Sequence, residues 1–273
     1  MKGKIVLITG ATSGLGKEST LALARLGANI VMTTRDMQKG EQTKQELIVS
    51  TQNQNIDVML CNLASFVSIR TFCAEFLEKY KALHVLVNNA GVSNFHRKIS
   101  KDGIEETFAV NYLAPFLMTN LLLERIKEST PSRIVNVVSG FHSGTIQFDD
   151  LEFTKNYSGF KVYGHSKVAL ILFTRLLAEK LEGSGVIVNC ANPGMSRTNI
   201  GQDAGAVMRM FFKILAKSPV KGAQTAVYLA SDPDLTISGE YFEKKQVKQI
   251  NTETYDMDAA NKLWDASVKY VGL

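Results

Sequence analysis

Apolar positions fall into short β-type runs separated by longer stretches of helical period. Residues 5–9 form the first run, which ends in Gly10. An amphipathic stretch over 15–26 follows and stops at Gly27, and a second apolar run occupies 29–33. Strand, glycine turn, helix and strand in that order make a βαβ unit, which requires a parallel pair and a right-handed crossover. The alternation continues through candidate strands at 57–61, 85–88, 133–139, 186–191 and 238–242, with helical patterns between them. About seven strands alternating with helices predict an α/β fold, a Rossmann-type doubly wound parallel sheet flanked by helices. No linker, repeat or low-complexity tract interrupts the series, so one domain over residues 1–273 is expected.

Three stretches depart from the rhythm of the first helices. Residues 108–126 are apolar almost all round, which predicts burial on both sides, against the sheet and against a second subunit. The helix over 162–181 carries Tyr163 and Lys167 near its start. After Pro193-Gly194, residues 201–218 hold Met208, Met210, Phe211, Phe212, Ile214 and Leu215 outside the βαβ pattern. An insertion over 195–218, at the C-terminal edge of a strand, is placed where a substrate lid would lie. Its thioethers and rings suit an irregular apolar ligand, although they serve equally to pack the lid helix on itself.

At 273 residues, 45% hydrophobic and 21% charged, the chain reads as soluble and well cored rather than disordered. The N-terminal apolar run is too short for a signal-peptide core. The longer apolar stretches at 108–123 and 206–216 are broken by Asn, Arg or Lys and fall short of a bilayer span. No transmembrane segment and a cytoplasmic location are therefore expected. Cys61, Cys73 and Cys190 are odd in number and widely spaced, which suits buried reduced thiols rather than disulfides or a zinc site. The net charge of +5 is scattered, densest at Lys244, Lys245 and Lys248, and fits a solvated face better than a nucleic-acid surface. His142 and His165 lack metal-ligand spacing with any partner, so no metal is expected.

The candidate chemistry begins after the first strand. In Thr9-Gly10-Ala11-Thr12-Ser13-Gly14-Leu15-Gly16 the glycines let the backbone turn tightly and approach a pyrophosphate, and the helix opening near Gly14 aims free N–H groups at the anion. The second strand ends in Thr34-Arg35-Asp36. Thr34 stands where an acid would bind a ribose 2′-OH, and Arg35 next to it offers a guanidinium to a 2′-phosphate, so NADP(H) is favoured over NAD(H). Ser13 and Lys17 are candidates to add to that pocket, and Asp36 is placed as the cap of the next helix. Tyr163 and Lys167 lie four apart on one helical face, a spacing suited to proton transfer but common by chance.

Taken in order, Gly10, Gly14 and Gly16, Asn88-Asn89-Ala90-Gly91, Asn111, Ser139, Tyr163 with Lys167, and Pro193-Gly194 with Thr198 resemble the short-chain dehydrogenase/reductase family over most of the chain. Within it, the likeness is greatest to the retinol dehydrogenase-like group, from Thr34-Arg35-Asp36 with Lys39-Gly40-Glu41, from His165-Ser166-Lys167, from Phe148-Asp149-Asp150-Leu151 and from Leu263-Trp264. Asn62 replaces the family's usual Asp beside the adenine, and Val138 replaces a frequent serine before Ser139. The N-terminal membrane anchor of many animal retinol dehydrogenases has no counterpart, so stable membrane insertion is not expected.

The resemblance implies an NADP(H)-dependent oxidoreductase in which Tyr163 is general acid/base, Ser139 donates to the carbonyl oxygen, Lys167 holds the nicotinamide ribose and lowers the phenol pKa, and Asn111 holds a relay water. It also implies cofactor contacts from Gly10, Thr12, Ser13, Gly14, Leu15, Gly16, Arg35, Asn62, Leu63, Asn88, Ala90, Gly91, Tyr163, Lys167, Pro193, Gly194 and Thr198, with Asn88 also bracing the sheet. Pro115 lacks an N–H for the Asn111 carbonyl, which either frees that carbonyl for the relay water or simply kinks a buried helix. Resemblance and lid together point to a lipophilic aldehyde or ketone and its alcohol, and the family is often dimeric or tetrameric. Reduction of a carbon–carbon double bond, as in protochlorophyllide reductases, and a non-catalytic nucleotide sensor are the alternatives.

Overall fold

Leu7 shows how the sheet is assembled: it pairs with Val31 on one side and Leu86 on the other, and the row continues through Ile134 to Val188. All five are buried on one face, while Val6, Ile8, Ile30, Val85 and Val135 line the opposite face. Strands covered on both faces read as near-continuous apolar runs, which is why they stood out in the sequence.

The computed structural model describes residues 1–142, 144–194 and 219–273. The strands are β1 (Ile5–Ile8), β2 (Asn29–Thr34), β3 (Ile56–Leu60), β4 (Val85–Asn88), β5 (Ser132–Val137), β6 (Val186–Asn192), β7 (Tyr241–Glu243) and β8 (Gln246–Val247). They form one sheet in the order β3-β2-β1-β4-β5-β6-β7-β8, parallel except for β8. The chain winds outward from β1 through β2 and β3, then crosses to β4 and winds the other way. The switch between β1 and β4 opens a crevice at the carboxyl ends of the strands, the usual ligand position in such sheets.

The described helices are α1 (Gly14–Arg25), α2 (Met37–Thr51), α3 (Phe66–Lys79), the short α4 (Glu106–Phe108), α5 (Ala114–Glu128), α6 (Gly159–Lys180), α7 (Pro219–Ser231) and α8 (Met257–Val271). α3, α5, α6 and α8 supply buried apolar side chains to one face of the sheet, and α1, α2 and α7 to the other.

Three details differ from the sequence reading. The seventh strand begins at Tyr241 rather than 238, because Gly239 has φ of +83° and its N–H bonds Val188 O at 2.7 Å. An eighth strand follows through a turn in which Lys244 and Lys245 take φ of 52° and 65°, a hairpin geometry that Asn-Gly would have announced. The expected helix over 108–126 is three pieces: α4, a wide π turn (Ala109–Leu113) in which Ala114 N reaches Ala109 O, and α5 with Pro115 in its first turn. On its outer side α5 packs against α8. Trp264 packs edge-on to Phe116 at 5.0 Å between centroids, and the Tyr112 and Ser267 hydroxyls are hydrogen-bonded at 2.7 Å.

Candidate active site

The turn between β1 and α1 depends on glycine at defined points. Gly10 has φ of +66°, and a Cβ there would lie 2.9 Å from Ala90 Cα. At Gly16 a Cβ would stand 2.2 Å from Gly10 O and 2.4 Å from Asn89 Nδ2. Asn89 closes the loop onto β4 by donating to Thr9 O at 2.8 Å, while Thr9 Oγ1 accepts from Asn89 N and Ala90 N at 3.0 Å each. Ser13 sits at the N-cap of α1 without a side-chain capping bond, so the first N–H groups of the helix stay open to an anion. Thr12, Ser13, Gly14 and Leu15 are half-buried along this turn. The turn fits a dinucleotide's diphosphate, since the uncapped donors of α1 are open to an anion and only glycine lets the loop close this tightly on Ala90 and Asn89.

At the end of β2, Arg35 is exposed. Thr34 Oγ1 is used locally: it donates to Asp36 O at 2.8 Å and accepts from Asp36 N at 3.1 Å. Asp36 caps α2 by accepting from Lys39 N at 3.1 Å, as its position implied. The Lys17 ammonium pairs with Glu46 on α2. Beyond β3, Asn62 Oδ1 accepts from Ala64 N at 3.1 Å and Leu63 packs partly buried against the core. That leaves Asn62 a second lone pair and its Nδ2 for a base.

The proton-transfer group assembles beyond β4 and β5. Tyr163 and Lys167 lie one turn apart on α6, 7% and 3% exposed, with Lys167 Nζ 5.6 Å from the centre of the phenol ring. The Ser139 hydroxyl, just past β5, hydrogen-bonds the phenol. Burial pushes the Tyr163 phenol up to about 12, a rise that the Ser139 bond only partly offsets. Burial brings Lys167 down to about 8, and its Nζ donates to Val137 O at 3.0 Å. Burial thus pushes both groups toward their neutral forms.

Asn111, fully buried in the π turn, holds the β4 exit loop to α6: its Nδ2 donates to Val92 O at 2.9 Å and Ser166 Oγ at 3.1 Å, and its Oδ1 accepts from Val92 N at 2.8 Å. Gly91 lies beside it, where a Cβ would be 3.6 Å from Lys167 Nζ. Ser139, Tyr163, Lys167, Asn111, Ala90 and Gly91 thus meet around one point. Asn88 does not point its side chain there. Its Nδ2 donates to Asn136 Oδ1 at 2.8 Å and Thr119 Oγ1 at 3.2 Å, so it braces β4 to β5 and α5.

Beyond β6, Gly194 has φ of +71° and its N–H bonds Asn192 Oδ1 at 2.9 Å, which sets the turn after Pro193. Thr198 and the 195–218 lid lie outside the described residues. Two supports escaped the sequence reading, Asn192 and Tyr241, whose hydroxyl donates to Ser139 O at 3.3 Å, and Asn89 was noted only as part of the Asn88–Gly91 motif, with no role of its own. The one available signal was that both asparagines follow or end a strand at the sheet's carboxyl edge. His165 is structural: Nε2 accepts from Gln147 N at 3.1 Å, and burial lowers it to about 4. His142 stacks edge-on to Tyr241 at 5.4 Å. The three cysteines are buried free thiols, and burial raises Cys61 and Cys190 to about 12, so none is a nucleophile at neutral pH. No group of side chains that could hold a metal occurs among the described residues.

Comparison with known proteins agrees with this geometry. A family model described as "short chain dehydrogenase" matches residues 4–208. Retinol dehydrogenase 13 of Homo sapiens is 41% identical over 282 residues, a match covering 99% of this chain and 85% of that protein. Retinol dehydrogenase 14 of Mus musculus is 42% identical over 292 residues, covering 100% and 87%. Among solved structures, an uncharacterised protein from Mycobacterium paratuberculosis superposes with a TM-score of 0.82 at 30% identity, covering 99% of this chain and 94% of that one.

Proposed function

The chain belongs to the short-chain dehydrogenase/reductase family and is an oxidoreductase related to the retinol dehydrogenases, and we propose that it is NADP(H)-dependent, interconverting a lipophilic aldehyde or ketone and its alcohol in the cytoplasm. The observation that carries the reading is the buried meeting of Ser139, Tyr163 and Lys167 beside an open glycine cradle. When bound, the nicotinamide exchanges a hydride with the substrate carbon.

The chain's own part is the proton at oxygen. In reduction, the Tyr163 phenol, protonated because burial holds its pKa near 12, gives its proton to the carbonyl oxygen as negative charge develops there. Ser139, already within hydrogen-bonding reach of that phenol, donates to the same oxygen and stabilises the charge. Lys167 carries the positive charge that stabilises the phenolate left behind. With its pKa lowered to about 8, it also returns a proton readily. In oxidation the same groups act in reverse.

Arg35, exposed at the end of β2 with no acid in the place of Thr34, supports NADP(H) over NAD(H) through its guanidinium and a 2′-phosphate. No described helix is long and apolar enough to cross a membrane. The names of the relatives, retinol dehydrogenases 13 and 14, support a long apolar substrate of the retinal and retinol kind. The test is NADPH oxidation followed at about 340 nm, a wavelength set by the nicotinamide itself, over aldehydes and ketones of graded size and polarity. Turnover of apolar carbonyls with NADPH is expected. Turnover of small charged carbonyls alone, or equal use of NADH, sinks the substrate or the cofactor assignment respectively.

A further inference from the structure

We propose that Phe141 and Phe160, with Phe95 behind Phe160, form an aromatic rim that binds the apolar body of the substrate and makes turnover depend on its length; this rests on the carbonyl/alcohol reading above. Among the described residues, every other Phe, Tyr and Trp is at least half-buried, whereas Phe141 is 54% and Phe160 53% exposed. Aromatic surface left in water is unfavourable, and an exposed pair flanking a catalytic group marks a ligand-contact surface.

Both rings are tied to the proton-transfer group. Phe141 N donates to Ser139 Oγ at 3.1 Å, so its backbone is fixed to the catalytic hydroxyl. Phe160 is three residues before Tyr163 on α6, on the same helical face and one turn nearer the helix start. Phe95 meets Phe160 edge to face, centroids 5.6 Å apart and planes at 86°.

The support beneath them is rigid. A Cβ at Gly159 would lie 2.2 Å from Asn94 O, so the β4 exit segment rests directly on the first turn of α6. Asn94 O also accepts from Tyr157 OH at 3.0 Å, and Asn94 Nδ2 donates to Glu106 at 2.8 Å. The rim is therefore held in place before substrate arrives. Three phenyl rings offer no hydrogen bond to a charged or polar substrate. They offer dispersion and desolvation to an alkyl chain or conjugated polyene leading away from the carbonyl carbon.

The test compares wild type, Phe141→Ala and Phe160→Ala on straight-chain aldehydes from propanal to decanal with saturating NADPH. Val67→Ala, an exposed apolar position on α3 outside the aromatic rim, is the control. For wild type, kcat/KM is expected to rise with chain length. In either Phe variant it should fall tenfold or more for decanal but no more than about threefold for propanal. A second readout is independent of turnover: the rise in melting temperature given by 1-decanol with NADPH present should shrink in both Phe variants and persist in Val67→Ala. Equal losses at every chain length, or an unaltered thermal response to 1-decanol, overturn the rim. Absence of turnover by wild type on every aldehyde, with the 1-decanol shift intact, overturns the function reading and leaves the rim as an apolar binding surface.

Discussion

Asn111 and Val92 exchange two hydrogen bonds across the cleft, Nδ2 to Val92 O at 2.9 Å and Val92 N to Oδ1 at 2.8 Å. The same Nδ2 reaches Ser166 Oγ, which in turn donates to Tyr163 O at 2.7 Å. A carboxylate cannot donate, so Asn111→Asp leaves buried acceptors facing a buried charge. The variant should lose on the order of 3 kcal/mol of stability in urea unfolding, and lose turnover with it. An unfolding midpoint equal to that of wild type would show that the loop is held by other contacts.

Removing the Tyr163 hydroxyl takes away the proton donor without opening a cavity. Tyr163→Phe should lower kcat by roughly 10²–10⁴ while leaving NADPH affinity within about threefold. Single-turnover kinetics beside a fluorescence titration of NADPH separate the two effects. A nucleotide sensor would show no change in behaviour.

The proposed preference for NADP(H) rests on Arg35. Arg35→Ala should weaken NADPH binding by about tenfold or more and leave NADH binding within about twofold, since only NADPH carries the 2′-phosphate. Because the site is exposed, the NADPH affinity of wild type should also fall as salt rises. Isothermal titrations at two ionic strengths measure both effects.

His165 makes stability depend on pH. Burial lowers it from 6.5 to about 4, so between those values the unfolded chain binds a proton that the folded chain does not. The contribution is complete above pH 6.5 and is lost as pH falls through about 4. It amounts to about 3 kcal/mol. His165→Gln, which keeps an acceptor for Gln147 N, should lose less stability than wild type between pH 6.5 and 4. Parallel urea-midpoint curves would discount the residue.

α8 covers the apolar face of α5 and α6, where Trp264 contacts Phe116 and Phe173 at 5.0 and 5.9 Å between centroids. Ending the chain before Met257 should expose that face, lower the melting temperature by several degrees, and shift the protein toward dimers or larger species in sedimentation. Full-length protein should show no self-association through this face. A truncated chain that sediments as full length would mean that α8 shields no adhesive surface.

How far the site could be read in advance varies residue by residue. Gly10 and Gly16 were legible because close backbone approach admits only glycine. Ser139, Tyr163 and Lys167 were legible as an ordered set. The hydrogen bonds that position them were not, since Asn89, Asn111 and Tyr241 act on backbone groups of Thr9, Val92 and Ser139, and a backbone acceptor leaves no mark on residue type. The β7–β8 hairpin was hidden because two lysines fill positions where glycine or asparagine would be diagnostic.

Periodicity was enough to establish the parallel α/β sheet, and glycine placement the tight turn after β1, because each follows from neighbours a few positions apart; the proton-transfer set was implied only by the ordered family motifs. Packing established the rest. Desolvation raises Tyr163 and lowers Lys167, α8 packs on Phe116 of α5, and Phe141 and Phe160, close in sequence to Ser139 and Tyr163, stay exposed. Burial and solvent exposure depend on segments distant in the chain, and local pattern carries no record of which segment arrives.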